Sequence, residues 1–114
     1  MNRNIIYIIA SFLLLMLLWG CSSARITDQL QFGILAAQKD LWDEAIFRWK
    51  KVLQENPSSA AAHNNLAVAY EQKGLVQEAD REYLTALELS PRNSYIQSNY
   101  QKFKERYEEI NEIP

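Results

Sequence analysis

The sequence predicts an all-α fold: a short helical solenoid of two helix-turn-helix units, closed by a C-terminal capping helix and preceded by an N-terminal hydrophobic signal segment. Three observations carry this. Two stretches repeat each other at an offset of 34 residues and both end in proline, at Pro57 and Pro91. Apolar residues inside them recur at the 3.6-residue spacing of helices, and no stretch alternates as a strand does.

Residues 1–20 read as a targeting segment. Arg3 precedes the apolar run Ile5 to Leu18, and Trp19-Gly20 lead into Cys21, the one cysteine of the chain. Ile5 to Trp19 is 15 residues; at about 1.5 Å per residue that falls short of a hydrocarbon core of about 30 Å. Length therefore favours a cleaved signal over a membrane span. The box Leu18-Trp19-Gly20-Cys21 resembles a bacterial lipoprotein signal, which implies cleavage before Cys21 and a diacylglycerol on its thiol. Two or more acyl chains give stable anchoring where one is marginal. Ser22 in place of Asp after the cysteine implies, by the same resemblance, the outer membrane, with the protein facing the periplasm. An uncleaved single-span anchor is the alternative reading.

Residues 21–27 form a short tether, and Thr27 or Asp28 is expected to cap the first helix, which runs to about Lys39. Asp40 is expected to cap the second, with Asp43 and Glu44 placed favourably in its first turn. Leu41, Trp42, Ala45, Ile46, Trp49, Val52 and Leu53 make that helix's apolar stripe. The third helix spans about Ala60–Lys73 and ends at Gly74, suited to the left-handed closing conformation. The fourth runs from about Val76 to Leu89. Pro57 and Pro91 stop the helices before them, leaving Ser58, Ser59 and Asn93 to cap the third and fifth helices.

The repeat pairs Gln38 with Gln72, Lys39 with Lys73, Leu41 with Leu75, Glu44 with Glu78, Ala45 with Ala79 and Leu53 with Leu87. The second copy reads Leu66-Ala67-x-x-Tyr70, Gly74, Ala79, Tyr83, Ala86, Pro91. This resembles the tetratricopeptide repeat, with units at 26–59 and 60–93. In that family the first helix of each unit lines a concave surface that holds peptides. The resemblance implies a groove of Leu30, Ile34, Ala37, Gln38, Asn64, Asn65, Val68, Glu71 and Gln72, and a protein or peptide as partner. Small residues at Gly33 and Ala67 let the two helices of a unit approach closely. Of the carboxylate clamp that chaperone-binding members use, only Asn65 has a counterpart.

Residues 94–110 form the capping helix, with Ile96, Tyr100, Phe103, Tyr107 and Ile110 on one side and charges on the other. Tyr100 continues the series Phe32 and Leu66, and Phe103 the series Leu35 and Ala69. Two units and a cap are few for a solenoid. Tyr100, Phe103 and Tyr107, together with Phe47 on the outer side of the second helix, are therefore a candidate second interface, through which a homodimer or an envelope complex would pack.

Composition narrows the function classes. The 114 residues leave room for one domain, with a formal net charge of −2. Loss of residues 1–20 removes Arg3 from 12 basic residues against 14 acidic, giving −3. There is no basic excess to attract nucleic acid. A single cysteine excludes an intrachain disulfide. His63 is the one histidine, no metal-ligand spacing is present, and the three glycines form no phosphate loop. The sequence is read as a non-enzymatic binding protein without cofactor or metal.

Overall fold

The computed structural model describes residues 2–111; the side chains of 17–24 and 108–111 lie outside the description, and Cys21, the expected lipid attachment site, lies among them. Five helices follow one another: α1 (Arg3–Ala37), α2 (Trp42–Glu55), α3 (Ala60–Gln72), α4 (Val76–Leu89) and α5 (Ser94–Asn111). Among the described residues there is no strand. The pairs α1/α2 and α3/α4 are successive helical hairpins, α2 packs on α3, and α5 lies against α4 and α3. The arrangement is that of a helical-repeat solenoid.

Two expectations about helix ends are corrected. No helix begins at Thr27 or Asp28; α1 is continuous from Arg3 to Ala37. Ser22 to Ile26 contains neither glycine nor proline, so nothing in the tether stops a helix that the apolar segment has already nucleated. Asp40 does not cap α2, whose N-cap is Leu41 without a side-chain bond. Asp40 instead adopts φ 57, matching Gly74 at φ 72 in the next unit. Both turns then close alike: Leu41 N–H donates to the Ala36 carbonyl at 3.0 Å and Leu75 N–H to the Tyr70 carbonyl at 2.9 Å.

The proline junctions behave as expected. The Ser59 hydroxyl accepts from Ala62 N–H at 3.2 Å, and the Asn93 side-chain oxygen accepts from Tyr95 and Ile96 N–H at 3.0 and 3.2 Å. Six residues beyond each proline, a side chain holds the proline carbonyl: His63 Nε2 donates to Pro57 at 2.9 Å and Gln97 to Pro91 at 2.8 Å. The other ring nitrogen of His63 meets Glu82 of α4 at 2.5 Å. His63 thus ties a junction to a hairpin.

The core has two centres. One joins Ala36, Ala45, Trp49, Leu66 and Ala69 across α1, α2 and α3; the other joins Ala67, Ala79, Tyr83 and Phe103 across α3, α4 and α5. Gly33 is what lets α1 and α2 close on the first. A Cβ built on Gly33 would sit 2.7 Å from Cδ1 and Cε2 of Trp49 and closer still to Nε1. The Trp49 indole N–H donates to the Leu30 carbonyl at 3.2 Å. In the next unit Ala67 takes the place of Gly33 and the smaller Tyr83 that of Trp49.

Apolar side chains from Ile5 to Met16 on α1 are exposed. Among the described residues no helix is long and apolar enough to cross a membrane.

Candidate peptide-binding groove

A concavity of about 340 Å³ opens between the first helices of the units. Ile34, Ala37 and Gln38 of α1, Trp42 and Trp49 of α2, Asn65 and Val68 of α3, and Tyr95 of α5 line it. A second of about 160 Å³ adjoins it, with Glu71, Gln72, Tyr83, Asn99, Lys102 and Arg106 around the shared residue Val68. Together they make a groove that is apolar and aromatic at the α1 end and polar, with cations, at the α5 end.

Of the nine residues expected to line a groove, five face the first concavity: Ile34, Ala37, Gln38, Asn65 and Val68. Glu71 and Gln72 face the second. Leu30 packs half-buried against the first core centre. Asn64 departs from expectation. It is 2% exposed, and its side-chain oxygen accepts from the Asn99 amide at 3.1 Å, so it braces α3 against α5 rather than meeting a ligand.

Glu71 is likewise occupied by its own fold. Its two carboxylate oxygens accept from the Tyr83 hydroxyl, at 2.9 Å, and from the Arg106 guanidinium. Burial first, and the Glu71 charge second, hold the Tyr83 hydroxyl well above the usual tyrosine range. On the far side of the same aromatic cluster the Tyr100 hydroxyl donates to Asp80 at 3.1 Å, and burial and then that bond raise it too.

Phe103 of the last helix is spent inside the molecule, which corrects its expected place in an interface, while Tyr100 and Tyr107 stay half-buried beside it. Phe103 is 3% exposed and its ring centre lies 5.2 Å from Tyr83 and 4.8 Å from Tyr107; Tyr100 lies 5.8 Å from Tyr83. Phe47 remains outside at 50% exposed, under the Lys51 ammonium at 4.9 Å.

Sequence reasoning missed the cations, although the offset of 34 contains them. Ile34 and Val68 lead to Lys102, and Gln38 and Gln72 lead to Arg106, so α5 supplies the third column of the groove as well as the cap. Tyr95, 66% exposed, lines the first concavity from the same helix. Arg106 is engaged by Glu71, whereas Lys102 makes no ion pair among the described residues.

Over 83 residues the chain is 36% identical to the type IV pilus assembly protein PilF of Pseudomonas aeruginosa strain PAO1, a match that takes in 70% of this chain and 33% of PilF. The chain thus spans about a third of the length of the curated relative it matches. Residues 33–112, which include everything that lines the groove, match the model of a family described as a domain of unknown function, DUF6340, and the chain belongs to that family.

Proposed function

We propose that the protein is a membrane-tethered protein-interaction module of the bacterial envelope that holds a segment of another protein in its concave groove. The observation that carries this reading is the groove itself: a row of Ile34, Val68 and Lys102, one from each of α1, α3 and α5, beside the rings of Trp42 and Tyr95. A cleft with an apolar floor and few polar groups suits an anchor side chain with orienting bonds around it. The segment that fits would seat one bulky apolar side chain near Ile34 and Val68 and turn a carboxylate towards Lys102. The Asn65 amide, which both donates and accepts, would meet its backbone. Cleavage before Cys21 and acylation of its thiol would supply the tether, periplasm-facing and on the outer membrane. The likeness to a pilus assembly protein supports a role in assembling an envelope structure.

A photo-crosslinking amino acid at the exposed Gln72, introduced into cells, tests the groove. We expect one envelope protein to be captured and the yield to fall several-fold in Lys102→Glu, which lies on the surface and leaves the helices intact. In parallel, Cys21→Ser is expected to release the protein from the membrane fraction. Equal capture by Lys102→Glu would remove the groove from the proposal; retention of Cys21→Ser on membranes would remove the lipid.

A further inference from the structure

The offset that organises the groove also shows which surface of the solenoid lacks a cover. Asp28, Phe32 and Leu35 of α1, with Lys39 in the turn after it, correspond to Ala62, Leu66 and Ala69 of α3, with Lys73 at its C-cap, and to Ile96, Tyr100, Phe103 and Tyr107 of α5. On α3 and α5 this stripe is packed against the helix before it: Leu66 is 1% exposed, Ala69 0% and Phe103 3%. Among the described residues no helix but α2 packs on α1, and α2 lies on another of its faces. Phe32 stands 52% exposed and Leu35 44%, and neither Asp28 nor Lys39 forms an ion pair among the described residues.

The covered copy shows what a cover must bring. α2 lays Ala45 and Trp49 on Leu66 and Ala69, and its Asp43 pairs with Lys73 at the end of the stripe. A cover for α1 therefore needs apolar side chains in the middle and an acid opposite Lys39. The stripe of α1 carries both, placed symmetrically: residues 32 and 35, and residues 28 and 39, share one midpoint. Turned end for end, it complements itself.

We propose that this face of α1 is a self-association surface, on which a second copy of the chain lays the same stripe antiparallel, Phe32 against the partner's Leu35 and Asp28 against the partner's Lys39. Such a contact is isologous and closes after two copies. A parallel pair would set Asp28 against the partner's Asp28 and Lys39 against the partner's Lys39, like charges that oppose it. Head-to-tail stacking is opposed by chemistry, because Gln101, Lys102 and Glu105 of α5 are exposed and polar where Phe32 and Leu35 would need apolar partners. Phe47 finds a place at the rim: the Arg48 guanidinium lies 5.7 Å from the Phe32 ring and 5.8 Å from that of Phe47. The antiparallel pair sends the two N-terminal ends apart. In a chain cut before Cys21 the two cysteines would stand about 37 Å apart along the helix axis and reach one bilayer with the α1 pair lying along it. None of the four stripe residues lines the groove, so either proposal can fail alone.

Charge exchange tests it. The full chain in detergent micelles is expected to sediment as a dimer whose dissociation constant rises by about tenfold in Asp28→Lys, where two exposed ion pairs become like-charge contacts. Joining Asp28→Lys with Lys39→Asp in the same chain is expected to restore the dimer, with unchanged helical circular dichroism throughout. In native membranes, Asp28→Cys and Lys39→Cys are expected to crosslink when combined and not singly. A wild-type chain that stays monomeric, a charge-exchanged chain that does not recover, or crosslinking by Asp28→Cys alone would overturn the proposal.

Discussion

Gly33 shows how one side chain decides the distance between two helices. With no Cβ it lets the Trp49 ring lie against the α1 backbone, where the indole N–H reaches the Leu30 carbonyl. The need for a small residue was legible in the sequence, because Ala67 recurs at the same place. The ring it accommodates was not, since periodicity puts Trp49 on a core stripe without saying which backbone it meets. Two opposed effects then bear on Gly33→Ala. Alanine is the better helix former by about 1 kcal/mol, while overpacking a closed core costs about 1–3 kcal/mol. With the added methyl inside the contact distance of three ring atoms, overpacking wins, and we predict a net loss of up to about 2 kcal/mol in urea unfolding. Combining Gly33→Ala with Trp49→Tyr copies the Ala67–Tyr83 pair. That double variant is expected to be more stable than the sum of its singles by about 1 kcal/mol; strict additivity would mean the two side chains do not compete for one space.

At the scale of elements, the helices inside the repeat were readable and the ends of α1 and α2 were not. α4 spans the expected Val76–Leu89, because an apolar stripe, a preceding glycine and a following proline all agree on it. Asp40 was misread since aspartate serves two purposes. It caps helices, and it also tolerates the left-handed conformation better than most residues. The offset to Gly74 points to the second use, and the backbone follows it. Asn64 and Phe103 were misplaced for a related reason: a pattern shows that a face is apolar or polar, not which element covers it. The αL turn leads to a prediction. A Cβ at Gly74 meets nothing within 4 Å, so Gly74→Ala suffers from backbone conformation alone, by about 1 kcal/mol. Asp40→Ala should lose a similar amount, and Asp40→Gly should equal or exceed the native chain in thermal unfolding. If Asp40→Gly were the least stable of the three, the side chain would be holding the turn by some bond of its own.

The whole molecule closes through α5. Two units alone would leave Ala67, Ala79 and Tyr83 open on their last face, and Phe103 fills it. The polar edge of that contact is the join of Tyr83 on α4, Glu71 on α3 and Arg106 on α5. Burial keeps the Tyr83 hydroxyl protonated well past its ordinary titration, the Glu71 carboxylate adds to this, and the Arg106 charge opposes it. The linkage has a definite sign. An unfolded tyrosine releases its proton near pH 10; the folded one does not, so above that value unfolding releases a proton and base favours it. Stability is therefore fully present below about pH 10 and declines above it, by up to about 1.4 kcal/mol per pH unit for Tyr83. Tyr100, raised in the same direction beside Asp80, adds a smaller slope. Tyr83→Phe keeps the ring against Phe103 and loses the bond to Glu71, which lowers stability near neutral pH by about 1 kcal/mol. The same change removes the largest proton release, so native and variant unfolding curves measured across pH 7 to 11.5 should converge and cross. Parallel curves would show that the Tyr83 hydroxyl is not held by the contact between the second unit and its cap, and that alkaline loss of structure begins elsewhere in the chain.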